Sequence, residues 1–146
     1  MKAFRFSLEK VLTWRRIQLE LEENKLKQQH AVLAAMDRAR AELEAAGIRA
    51  ELEVRDCPSL SGLDLRALAG FRLHVQNEER AIAARRLEFL KQLEAQQNAM
   101  LEARRRCRLL ERLKERRLAE WQAASDHELE QLAAESYLAG VVRRRG

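Results

Sequence analysis

Two cysteines, three histidines and a dense run of arginines are the residues of this 146-residue chain that carry chemistry. If Cys57 and Cys107 lie on or near one long helix, a rise of 1.5 Å per residue sets them about 75 Å apart, which excludes an intramolecular disulfide. His30, His74 and His127 have no His or Cys three or four positions away to complete a metal site, so they read as helix-surface residues. No glycine stands at phosphate-loop spacing before Gly-Lys-Ser or Gly-Lys-Thr. No nucleophile, metal cluster or carboxylate pair rises above the background of a helix surface, and the expectation is a protein that is not an enzyme, with no cofactor and no small-molecule substrate.

What remains is charge. Arginine outnumbers lysine 22 to 6, and Arg104 to Arg117 holds eight basic residues against Glu111 and Glu115. Glu120, Asp126, Glu128, Glu130 and Glu135 follow without a Lys or Arg until Arg143, Arg144 and Arg145. A basic collar and an acidic tip result. The collar is open to three readings: a solvated, salt-bridged helix face, a contact for an acidic protein surface, or a phosphate-binding surface, which the sequence pI of 9.7 permits. Nucleic acid is the least favoured of these, because no aromatic residues are interleaved with the arginines to stack on bases.

The elements that carry these charges are helical. Leucine recurs one heptad apart at Leu12, Leu19, Leu26 and Leu33, the chain has one proline and five glycines, and strand-like alternation is absent. The expected fold is all-α, a long antiparallel two-helix coiled coil forming a single elongated domain. Helix one is expected over about 7–54 with Ser7 as its N-cap, the turn over about 55–61, helix two over about 62–138, and a basic tail over 139–146. The turn is marked by Asp56-Cys57-Pro58-Ser59-Leu60-Ser61-Gly62, and Ser61 with Asp64 resembles a capping pair. The expected core is Leu12, Leu19, Leu26, Leu33, Met36 and Leu43 from the first helix and Val75, Ile82, Phe89, Leu93 and Met100 from the second. Arg15, Glu22 and Gln29 make the d layer polar over the first heptads, so the seam there is expected to be shallow. Helix one is too short to cover helix two, and the overhang carries Leu118, Trp121, Leu129, Leu132 and Tyr137. Either Phe4 and Phe6 fold back over Trp121, or the patch docks another protein. No run of 18 apolar residues exists to span a bilayer and the start of the chain lacks a signal-peptide stretch, so a cytoplasmic protein is expected.

The opening FRFSLEKVLTWRR, and ARRRCRLLERLKERRLAEWQ followed by Glu130-Gln131, resemble the two ends of the FliJ family, the central-stalk component of the flagellar type III export ATPase. Where that family carries an Asp-Glu pair shortly afterwards, this chain has Ala134 and Glu135. The resemblance implies a non-enzymatic stalk, similar to that of the γ subunit of rotary ATPases, seated in a hexameric export ATPase at the inner membrane of the flagellar base. It also implies binding to the cytoplasmic domain of a membrane export-gate protein and to export chaperones. Arg15, Arg16, Arg104, Arg105, Arg106, Arg108 and Trp121 would then face the ATPase. Leu68, Phe71, His74, Val75, Ile82 and Arg85 would face the gate or, read from spacing alone, belong to the core. The equivalent stalk of a virulence-type injectisome is an alternative, as is a free coiled-coil adaptor or a basic nucleic-acid-associated protein.

Overall fold

The computed structural model describes residues 2–146, and two helices account for nearly all of them: α1, Glu9–Arg55, and α2, Gly62–Arg145. They pack against each other as a helical hairpin, with no strand among the described residues.

Each helix end has a local cause. Helix α1 starts later than Ser7, because the Leu8 carbonyl accepts the first helical bond from the Leu12 N–H at 2.9 Å, and a backbone turn from Glu9 N–H to the Phe6 carbonyl closes the approach. Leu8 therefore stands where Ser7 was expected. At the start of α2 the expected pair forms a reciprocal cap: the Asp64 N–H donates to Ser61 Oγ at 3.2 Å, and the Ser61 N–H donates to Asp64 Oδ2 at 3.0 Å. The Ser61 N–H foremost, and then the Ser61 hydroxyl, which donates to Asp64 Oδ2 at 2.8 Å, hold the Asp64 carboxyl below its usual range. Helix α2 also runs past Leu138, so that 139–145 are helix instead of a tail. Neither Gly70 nor Gly140 takes a positive φ, and Arg143, Arg144 and Arg145 put positive charge at the negative end of the helix dipole.

The chain divides into two compact units. One holds the residues up to Glu20 with Glu102–Gly146, the other Leu21–Leu101. In the second, Val75, Ile82 and Leu93 are buried, while Leu26, Leu33, Met36, Leu43, Phe89 and Met100 are only half-buried. A Cβ at Gly47 would meet Val75 Cγ1 at 3.7 Å. Arg72 with Glu51 and Arg86 with Asp37, each at 2.9 Å, tie the two helices together beside this seam. Of the polar d positions, Glu22 meets the partner helix. Gln96 Nε2 donates to the Glu22 carbonyl at 3.3 Å and to the Glu22 carboxylate, whereas the buried Gln29 Oε1 has no hydrogen-bond partner. In the first unit Leu12 is fully buried and Cys107 is 3% exposed, with Leu19 half-buried.

Candidate functional site

Residues 2–8 form no regular element, yet they are fixed by side chains of α2. The Trp121 Nε1–H donates to the Lys2 carbonyl at 3.1 Å, and the Phe4 and Trp121 rings lie 6.1 Å apart at a 53° tilt. Beneath this segment is a cleft of about 1000 Å³ lined by Lys2 to Ser7 and by Arg117, Glu120, Trp121 and Ala124. The indole is thus half-buried, and the fold-back of the N-terminal aromatics is what the structure contains. Among the described residues this segment lies over α2 from Arg117 to Ala124. Leu129, Leu132, Tyr137, Leu138 and Val142 are each at least 59% exposed, on a stretch of α2 that α1 does not reach.

Next to that segment, charges lock α1 to α2. Lys114 Nζ meets the Glu9 carboxylate at 2.8 Å, and Arg16 meets Glu111 at 3.4 Å. The buried Cys107 thiol is pushed up, by burial first and by the Glu111 carboxylate second. Arg15 stacks its guanidinium 4.7 Å over the Trp14 ring. Along the collar, Arg105 and Arg106 pair with Glu102 one turn back, and Arg104 is half-buried. Arg108, Arg112 and Arg116 are exposed and form no ion pair or side-chain hydrogen bond. The seven residues expected to face an ATPase therefore lie in one unit with different partners: Arg16 across the hairpin, Arg105 and Arg106 within α2, Trp121 under the N-terminal segment, Arg108 unpaired.

The six residues expected at a gate fall in the other unit and do not share one surface. Val75 and Ile82 are buried in the seam. Leu68 and Phe71 are half-buried and line a groove of about 340 Å³ at the hairpin end, with Ala50, Val54, Cys57 and Leu60. His74 is exposed, its ring 6.4 Å from that of Phe71, and Arg85 is exposed with Nε donating to the Ala81 carbonyl.

Sequence reasoning missed the Glu9–Lys114 and Glu22–Gln96 links and the Lys2 carbonyl under Trp121. The only signal available for the first two was the presence of charge and amide at seam-flanking positions. Among the described residues no group of His, Cys, Asp and Glu could hold a metal ion, and no helix is long and apolar enough to cross a membrane. The class the fold defines is a two-helix antiparallel hairpin. No family model, curated protein or solved structure matches the chain.

Proposed function

We propose that this chain is a stalk and coupling component of a flagellar type III export ATPase, binding and activating the ATPase ring. The observation that supports it is the makeup of one unit: residues 2–20, the arginine-rich collar and an uncovered helix extension stand together. Such a unit offers a protein partner both charge and apolar surface. In a hexamer, a single helix pair whose faces differ in charge meets each subunit differently, and so favours different nucleotide states around the ring. In this reading Arg15, Arg16, Arg104, Arg105, Arg106, Arg108 and Trp121 face the ATPase. The hairpin end, with Leu68, Phe71, His74 and Arg85, faces the cytoplasmic domain of an export-gate protein, export chaperones are further partners, and the protein works at the cytoplasmic side of the inner membrane.

Steady-state ATP hydrolysis by the cognate export ATPase, with and without this protein, is the test. Stimulation together with hexamer formation is expected, and replacing Arg105, Arg106 and Arg108 with Glu should abolish it while helicity stays intact. Stimulation of an injectisome ATPase instead would move the same role to that system. No effect on either ATPase, with binding to duplex DNA that collapses as salt rises, would replace the stalk reading by the nucleic-acid-associated one.

A further inference from the structure

Helix α2 carries a second stripe, on the side opposite the seam formed by Cys107, Leu110, Leu118 and Trp121. It runs at coiled-coil spacing through Arg105, Arg108, Arg112 and Arg116, then Ala119 and Ala123, then Asp126, Glu130, Ala134 and Tyr137, and every one of these residues is exposed. The first half is basic, the middle is alanine and the second half is acidic.

Apart from Arg105, which pairs with Glu102, the charges of neither half are satisfied within the chain. Arg108, Arg112 and Arg116 follow one another at i, i+4 and i+8, and Asp126 and Glu130 at i, i+4, so like charges stack on one helix face, which destabilises a helix. None of these five side chains enters an ion pair or side-chain hydrogen bond. The N-terminal segment leaves the stripe open, because it lies over the neighbouring flank at Arg117, Glu120, Trp121 and Ala124.

We infer that this stripe is a self-association surface whose occupant is a second copy of the same chain, packed antiparallel. A two-fold axis level with Trp121 sets Arg112 opposite the second copy's Glu130 and Arg116 opposite its Asp126, and the symmetry repeats both pairs. The same axis sets Ala119 opposite Ala123, so that only methyl groups separate the two backbones at the centre, and Arg105 opposite Tyr137, within reach of a cation–π contact. An interface of this kind must be self-complementary, each residue meeting its counterpart twice, and a charge pattern that inverts about a small-residue centre has that property. A parallel pairing would set arginine against arginine and acid against acid. The inference stands apart from the ATPase reading, since it concerns the protein alone; if both hold, ring binding and pairing compete for the arginine face.

Sedimentation velocity of the full chain across the micromolar range at low salt tests it. A dimer that weakens as salt rises is expected. Arg112→Glu with Arg116→Glu in one variant, and Asp126→Arg with Glu130→Arg in another, should each raise the dissociation constant at least about tenfold, because every pair becomes repulsive. Mixing the two variants should restore a dimer, since each then supplies the charge the other lacks, and circular dichroism should show unchanged helicity. Should a reversal unfold the helix, the neutral pairs Arg112→Gln with Arg116→Gln and Asp126→Asn with Glu130→Asn carry the same comparison. In a Cys57→Ser background, mixed Ala119→Cys and Ala123→Cys proteins should cross-link to each other in preference to themselves. A chain that stays monomeric at low salt, a dimer indifferent to both charge changes, or cross-linking of Ala119→Cys chiefly to itself would each overturn the inference.

Discussion

The two thiols stand in opposite environments. Cys57 is exposed with Sγ 3.2 Å from the Ser59 carbonyl, while Cys107 is buried and its thiol raised beside Glu111. At about pH 8 an alkylating agent should modify one thiol per native chain and two per denatured chain, counted by mass spectrometry. Gln29 makes a second prediction: its buried carbonyl oxygen is desolvated without a partner, so Gln29→Leu should stabilise the protein by about 1 kcal/mol in urea unfolding. Asp64 gives the pH dependence. Its carboxyl is held below the ordinary value in the fold, so the cap's contribution is complete above the unfolded value, 3.8, and fades as pH falls through the lower folded one. Amide exchange at the Asp64 N–H should therefore gain an acid-driven opening below about pH 4. The Ser61–Asp64 cap was legible because both partners are three residues apart in the chain. Gln96 over Glu22 was not, because its partners are 74 residues apart and neither type advertises the other.

At the scale of the elements, the leucine heptads located the seam, but heptads alone do not say how deeply a two-helix seam is covered. Leu12 is fully buried while Leu26 is only half-buried, so Leu12→Ala should cost about 3 kcal/mol and Leu26→Ala about half that, compared by thermal or urea unfolding. Gly47 works the other way. It stands mid-helix without a positive φ, and an added Cβ meets Val75 at ordinary contact distance, so Gly47→Ala should stabilise by roughly 0.5 to 1 kcal/mol. The register between the helices was hidden because the sequence placed the turn only approximately, over about 55–61. Once it is fixed at Asp56 to Ser61, Glu51 falls opposite Arg72 and Asp37 opposite Arg86. Helix α2 runs on past the expected end near Leu138, through Gly140 to Arg145. A glycine costs only about 1 kcal/mol inside a helix, less than the helix-favouring alanines and the terminal arginines offset.

For the molecule as a whole, the net charge of +5 conceals a division between a basic and an acidic stretch of one helix. That division was plain in the sequence; what the structure adds is that Arg108, Arg112 and Arg116 share a face with Asp126 and Glu130 and that none of these five enters an ion pair. Helix α2 has 84 residues and α1 has 47, and among the described residues Leu129, Leu132, Tyr137, Leu138 and Val142 near the end of α2 are left exposed. A helical segment held only by its own backbone bonds melts by gradual fraying, outside the cooperative transition of the packed seam. Heating should then produce a sloping loss of ellipticity before the main transition, and any partner that covers Leu129 and Leu132 should flatten that slope, making the far end of this helix a built-in optical gauge of occupancy.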